Sequence, residues 1–411
     1  MYFRQPEYYS SFKCVGGECK YTCCAGWVIQ WTREEIDKVK NAPACSEKLR
    51  TLMEECFQTS PVNEKNFMVT LGEKRRCPML TDDNLCLIQK ELGAEYLSNT
   101  CTSYPRVYRA ALSANSKTFP YIYRFCNMSC PEVARRIITD KNAMNLVNVS
   151  ANKNILLKNV RNDNEKRCGE NPEYLYRTEI FEFFYGLISD KRYSVEAAII
   201  NGAIAAQIIK EIIEEKKYSE IPQVLNELHD GFIKGNMFRD IENIEPDYVM
   251  KIVLLSKIVN AIDRNNVINL LKNPEGKFEL SLYKDGEAAL SRMFGGDDYW
   301  LRNIALNLLM ELSVPFYSDK FDVFDTYSLF LAAFAGIKLN AIACSCRGDV
   351  NIDATQSDGF GACFTSKEGI WGFASVVSRS FCQTTSKAES IVNVLKKLNF
   401  TTPRSLAVLI K

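Results

Sequence analysis

Histidine is almost missing from this chain: among 411 residues there is one, His229. That excludes a site built on several imidazoles, the mixed Cys/His zinc finger included, and any relay of histidine bases. An excess of charge is missing as well. With 51 basic and 50 acidic side chains and a pI near 7.3, no global field recruits nucleic acid or an anionic membrane surface. No uninterrupted apolar run reaches the roughly 20 residues of a membrane span. The best candidate, residues 327–343, is broken by Lys338 and Asn340 and predicts a buried helix. The first residues, MYFRQPEYYSSFK, have no basic stretch leading into an apolar one, so no secretory leader is expected. The expectation is a cytoplasmic chain with reduced thiols. Apolar residues at 46% and charged residues at 25% are ordinary globular values, and a mass of 46.8 kDa leaves room for two or three domains.

What the chain has in abundance is cysteine. There are 16, and 11 of them fall in the first 130 residues: Cys14, Cys19, Cys23, Cys24, Cys45, Cys56, Cys77, Cys86, Cys101, Cys126 and Cys130. Dense cysteine in a small secreted domain implies disulfides, whereas clustered reduced thiols point to metal binding or redox chemistry. The spacing is C-x4-C-x3-CC, followed by Cys77 in CPML, Cys86, Cys101 in TCTSYPR and Cys130 in SCPE. Short-spaced thiols joined by distant single ones can surround a soft metal, either zinc or an iron–sulfur cluster. The neighbours Cys23 and Cys24 cannot both face one centre from a regular strand, so one stands behind the other or the two serve different metals. Proline after Cys77 and Cys130, and Tyr-Pro three residues after Cys101, end secondary structure close to the thiol, which suits ligands on turns.

Thr32 followed by Glu35 is a capping box that starts a helix over TREEIDKVKNA. Residues 67–88 read as small hairpins carrying Cys77 and Cys86, with turns at Leu71-Gly72 and Asp82-Asp83-Asn84, and QKELGAEYLSNTC reads as helix-like. The run YPRVYRAALSANSKTFPYIYRF predicts strand, turn and strand, with Cys101 and Cys130 just outside its ends. Beyond residue 140 an Asn-rich stretch reads as a boundary, and from Tyr174 apolar residues recur at helical spacing. The predicted fold is mainly α: a small α+β cysteine-rich domain with short hairpins over residues 1–140, then an α-helical domain over residues 141–411.

The run FKCVGGECKYTCCAGWVI, with RRCPML, NLCLIQKELGAEYLSNTCTSYPR and MSCPEVAR, closely resembles the flagellin lysine N-methyltransferase (FliB) family, and its cysteine part is also similar to zinc- or iron-chelating cysteine-cluster domains. The likeness is dense over residues 8–136 and weaker in YWLRNIALNLLMEL and in WGFASVVSRSF to VNVLKKL. The resemblance implies transfer of methyl groups from S-adenosylmethionine to lysine ε-amines of flagellin. It also implies an iron–sulfur cluster, of the 4Fe–4S kind, on Cys14, Cys19, Cys23, Cys24, Cys77, Cys86, Cys101 and Cys130. Cys45, Cys56 and Cys126 lie outside that pattern.

Such chemistry needs a neutral amine, although a free lysine has a pKa of about 10.4, and a place for a sulfonium cation, which aromatic faces stabilise. Candidates are Tyr121 and Tyr123 on the predicted hairpin, and Trp300 beside Asp297 and Asp298. No dinucleotide-type Gly-rich turn is present, since GGDD at Gly295 is flanked by helical patterns. The C-x3-C-x2-C spacing of radical enzymes is also incomplete, because Cys19-x3-Cys23 is followed by Cys24 and then Gly26. His229 reads as a surface or capping residue, and Cys344 and Cys346 as buried thiols pointing apart. Six basic residues against Glu132 within 101–136 read as a solvated face. The rival expectation, from another class, is a zinc-stabilised module without catalysis that binds flagellin or an export partner.

Overall fold

The computed structural model describes residues 2–19, 22–26, 29–61, 64–110, 121–150, 171–233, 251–252, 255–256, 267–346, 367–382 and 385–410. It is mainly α-helical with a smaller α+β part toward the N-terminus.

Two cores organise it. The smaller is built on a three-stranded sheet of β2 (Gln30–Thr32), β3 (Phe57–Thr59) and β4 (Asn66–Val69) in the order β2-β4-β3. Trp31 and Val69 from these strands, Ile36 and Val39 from α2 (Arg33–Lys40), and Leu49 and Met53 from α3 (Glu47–Glu55) are buried together with Met79 and Ile88. The predicted capping box is present: Thr32 Oγ1 accepts from the Glu35 N–H at 3.2 Å and Glu35 Oε2 accepts from the Thr32 N–H at 2.9 Å. One predicted hairpin also forms. Leu80 bridges Cys86 across a turn in which Asn84 takes φ +57, a left-handed conformation that asparagine tolerates better than most residues. Around Cys77 the expected second hairpin is replaced by a short helical turn, Glu73–Arg75, and Arg76 pairs instead with the distant Ala25.

The larger core joins a second sheet to the helices. Strands β1 (Tyr2–Pro6), β5 (Arg106–Ala110), β6 (Tyr121–Cys126) and β7 (Leu146–Ser150) lie in the order β5-β6-β1-β7. β5 and β6 form the predicted antiparallel pair, and the turn expected between them lies outside the described residues. β1 runs parallel to β6 and antiparallel to β7. Neither β1 nor β7 was legible in the sequence. A five-residue strand inside an Asn-rich stretch has too little alternation to be seen, and its pairing lies at least 140 residues away.

Tyr8, Tyr9 and Phe12, the sheet residues Tyr123 and Phe125, and α6 (Pro131–Thr139) share one core with the helices that follow. These are α7 (Arg177–Ser189), α8 (Val195–Glu214), α9 (Ile221–Ile233), α10 (Leu280–Met293), α11 (Tyr299–Glu311), α12 (Val323–Ser345), α13 (Lys367–Cys382), α14 (Thr385–Lys397) and α15 (Pro403–Ile410). α12 is the hub, with α8, α10, α11, α13, α14 and α15 packed around it. It is long and apolar enough to cross a membrane, but 89% of its most apolar window is buried against these neighbours, as the interruptions at Lys338 and Asn340 foretold.

Candidate metal centre

No disulfide joins the described cysteines to one another. The eight to which the family resemblance assigns a cluster fall, by the charges they feel, into two groups that share the Cys23–Cys24 peptide. In the first, Cys24, Cys77, Cys86 and Cys101 feel one another's charge. Burial foremost, then Cys24, Cys86 and Cys101, pushes the Cys77 thiol up to about 12. Burial, then Cys24 and Cys86, takes Cys101 to about 12 as well. Cys86 is raised by burial and Cys24. In the second group, Cys130 is pushed up to about 11 by burial, with Cys19 and Cys14 adding to it. Cys23 is raised by its hydrogen bond to Cys24, by burial, and by the charges of Cys24, Cys130 and Cys14. Cys24 moves the other way, down to about 7, because Cys23 and Thr22 donate to it and Arg76 lies nearby.

Local structure explains the convergence. The Cys77 N–H donates to the Cys24 carbonyl at 2.8 Å, tying the first cysteine loop to the second. Cys86 and Cys130 are the N-caps of α4 (Leu87–Glu91) and α6, and Pro131 opens the latter. Each thiol there receives backbone N–H groups, from Gln89 and Ile88 for Cys86 and from Val133 and Glu132 for Cys130. Donors at a helix start favour the thiolate. Cys101 sits in α5 (Asn99–Ser103), whose N-cap Ser98 accepts from the Cys101 N–H at 3.1 Å.

Four soft sulfur donors in each group, one of them on a helix start, are the right donor chemistry for zinc or iron–sulfur ligation. Among the described residues, however, no three His, Cys, Asp or Glu side chains are already drawn together as a metal-ion site. The two groups are therefore neighbourhoods of thiols and not closed coordination shells. Of the excluded cysteines, Cys126 is fully buried in the larger core, Cys45 is buried in the smaller one, and Cys56 is the C-cap of α3.

A polar network that sequence reading missed braces the second group. Arg379 on α13 donates to the Ser129 carbonyl at 3.1 Å, next to Cys130, and the Ser129 hydroxyl meets the Tyr104 hydroxyl at 3.0 Å. Buried Glu311 on α11 accepts from the Met128 N–H, from Asn307 Nδ2 at 2.7 Å and from Ser378 Oγ at 2.7 Å. These partners are up to 250 residues apart, so no local pattern announces them.

Tyr121 and Tyr123 do come together, around Glu182. Both hydroxyls donate to Glu182 Oε1, from Tyr121 at 3.0 Å, and Arg4 Nη2 donates to Glu182 Oε2 at 3.1 Å. Burial pushes Tyr121 up to about 12, and Tyr123 is raised by burial and by Glu182, so both phenols stay neutral while Arg4 occupies the carboxylate. Trp300 is buried and stacked on Phe294 at 4.7 Å, Asp297 pairs with Lys141, and Asp298 pairs with Arg302 at 3.0 Å, all of which are structural roles. His229 is exposed on α9. Cys344 is buried, and Cys346 donates to the backbone carbonyls of Leu270 and Ala343. The basic segment is mostly consumed by the fold: Arg135 and Arg136 pair with Glu132, Arg109 donates to the Glu311 carbonyl, and Arg124 lies over Phe3 and Tyr9.

The fold and site define a mainly helical protein whose N-terminal part carries eight cysteines in two neighbouring groups. The chain belongs to a known family, because residues 182–409, more than half of it, match the FliB lysine N-methylase C-terminal domain. It is similar to a lysine-N-methylase of Salmonella choleraesuis (strain SC-B67), with 26% identity over 362 residues that cover 82% of this chain and 84% of the relative. The lysine-N-methylase of Salmonella typhimurium (strain LT2) gives the same identity and coverage. The flagellar biosynthetic protein FliU of Salmonella muenchen is 31% identical over 147 residues, which cover 34% of this chain and 80% of the relative. No solved structure matches the chain.

Proposed function

We propose that this protein is a cytoplasmic lysine N-methyltransferase that moves methyl groups from S-adenosylmethionine to lysine ε-amines of flagellin. The observation that carries the reading is its likeness, over 82% of its length, to proteins named lysine-N-methylase. The flagellar name of a third relative supports a flagellar protein as acceptor. In the reaction the amine lone pair attacks the methyl carbon, an N–C bond forms and the C–S bond breaks. The sulfonium becomes a neutral thioether, and the amine gives up a proton to solvent. The acceptor must be neutral when it attacks, so its own pocket has to disfavour the ammonium.

Cys24, Cys77, Cys86 and Cys101 would hold one iron–sulfur centre, and Cys14, Cys19, Cys23 and Cys130 a second. When bound, such a centre supplies redox-active iron and cross-links loops that are distant in sequence. Division at Cys23–Cys24 meets the constraint that adjacent residues cannot both face one centre. The test is to purify the protein anaerobically, measure its iron and sulfide, and incubate it with flagellin and S-adenosylmethionine. Mass spectrometry should find methylated lysines. Metal-loaded protein that binds S-adenosylmethionine but leaves flagellin unmodified would overturn the reading. Stoichiometric zinc without S-adenosylmethionine affinity would favour the interaction module.

A further inference from the structure

A cavity of about 320 Å³ lies between the turn Pro172–Tyr176, the end of α8, the loop after α11 and the start of α12, and none of its lining residues has a role assigned above. Its lining carries five carboxylates (Glu173, Glu214, Asp319, Asp322 and Asp325) against two ammonium groups, Lys210 and Lys320. The start of α12 adds roughly half a positive charge, which leaves the lining more than two charges negative. Its apolar wall is aromatic: Tyr174 and Phe316 are buried and stacked at 4.6 Å, with Phe321 beside them.

Most of these charges are already answered. Lys210 pairs with Asp322 at 3.0 Å and with Glu214 at 3.8 Å. Asp325 is met from α14 by Lys396 at 2.7 Å, and Lys320 turns to Glu389 at 2.7 Å. Glu173 and Asp319 are the exceptions. Neither has an ion pair with a described residue, and Asp319 accepts only the Tyr174 hydroxyl, at 3.0 Å. Two unanswered carboxylates above an aromatic wall, in a cavity open to solvent, suit a cation on an apolar stem.

We infer that this cavity is a docking subsite for a lysine side chain of the protein substrate, held as its ammonium and separate from the amine that is methylated. The separation follows from the charge. Carboxylates favour the protonated amine, which has no lone pair to attack a methyl carbon, so the subsite anchors a lysine-bearing segment while transfer occurs elsewhere. The choice of an ammonium over a guanidinium rests on the methyltransferase reading. The site itself rests on the cavity, its aromatic wall and its unanswered charge.

The test uses the full chain with Glu173→Gln, Asp319→Asn and the double variant, all at the solvent-facing rim, with thermal melts to confirm folding. The probe is a synthetic peptide carrying several lysines, compared with the same peptide fully acetylated on its lysines. Each substitution should weaken binding of the lysine peptide by roughly three- to tenfold at low salt, with loss of the salt dependence in the double variant. For methyl transfer to flagellin, KM should rise by a similar factor while kcat and affinity for S-adenosylmethionine stay unchanged. The inference is overturned if the wild type does not prefer the lysine peptide, if the double variant binds it as well as the wild type, or if S-adenosylmethionine affinity falls instead. A wild type that methylates nothing yet loses the lysine peptide on substitution would refute the enzyme and leave the subsite standing.

Discussion

Glu311 is the most informative residue to perturb, because it joins the helical core to the turn that presents Cys130. It is 4% exposed, and its carboxylate accepts from the Met128 N–H, Asn307 Nδ2 and Ser378 Oγ. In Glu311→Ala, Ser378 can turn to Asn127 Oδ1, which already lies 3.0 Å away. The Met128 N–H and the Asn307 amide have no such substitute, and each orphaned buried donor costs about 1–3 kcal/mol. Release of a buried carboxylate returns part of that cost, so the expected net loss is about 2–4 kcal/mol. Glu311→Gln keeps an oxygen toward Met128 and Asn307 and presents its amide to a hydroxyl that can rotate, so it should lose only about 1 kcal/mol. Urea unfolding followed by tryptophan fluorescence measures both as a shift of midpoint at constant slope. An alanine variant within about 0.5 kcal/mol of the wild type, or a glutamine variant as damaged as the alanine one, would refute the reasoning.

Other outcomes follow from single contacts. A Cβ at Gly202 would stand 2.0 Å from Tyr327 Oη, which donates to the Ile199 carbonyl at 2.9 Å, so Gly202→Ala should force α8 and α12 apart and cost at least about 1–3 kcal/mol in a thermal or urea melt. An unchanged melt would show that the two helices do not pack as described. Lys251 is 2% exposed, donates to Tyr283 at 2.8 Å and to the Ile410 carbonyl at 3.3 Å, and is held down to about 7 by burial and then Lys338, against the opposing pull of Glu287 and Glu196. Between about pH 7 and the unfolded value of about 10.4, the unfolded chain binds a proton that the folded one lacks, so Lys251 makes stability rise with pH across that window. Lys251→Met should flatten the rise and raise stability at pH 7; an equal slope in both proteins would refute the assignment. For the two proposed iron–sulfur centres, Cys77→Ser and Cys130→Ser should each remove about half of the iron and visible absorbance, and the double variant nearly all of it. Loss of all the iron from either single variant would mean one centre and not two.

The sequence read best where a signal is local. The Thr32 capping box, the turn at Asp82-Asp83-Asn84, the strands on either side of residues 111–120 and the helices from Arg177 to Leu395 rest on neighbours within a few residues, and most of these elements stand where they were expected. It read worst where an element is stabilised only by distant partners. β1 takes its partners from residues 121–123 and 146–150, and five-residue runs such as YFRQP and LVNVS are too short for their pattern to announce a strand. The helical segment expected at residues 247–262 lies mostly outside the described residues. Tyr121 and Tyr123 were marked as a pair, but only the fold brings Glu182 and Arg4 to them and thereby turns a candidate base site into neutral phenols around an occupied carboxylate.

By itself the sequence determined the chemistry available to this protein: eight thiols in specific contexts, almost no histidine, no net field, and a long helical half. Those are properties of composition and short-range periodicity, which need no knowledge of the fold. Only the tertiary structure decided how the thiols divide. The Cys77 N–H reaches the Cys24 carbonyl across 53 residues, while the turn that presents Cys130 is held by Glu311, Ser378 and Arg379 from the other end of the chain. The cavity lined by Glu173 and Asp319 is likewise invisible in sequence, because its wall and its charges come from three separate segments. Whether a donor is paired or unanswered depends on which distant side chains fold against it, and that is a property of packing alone.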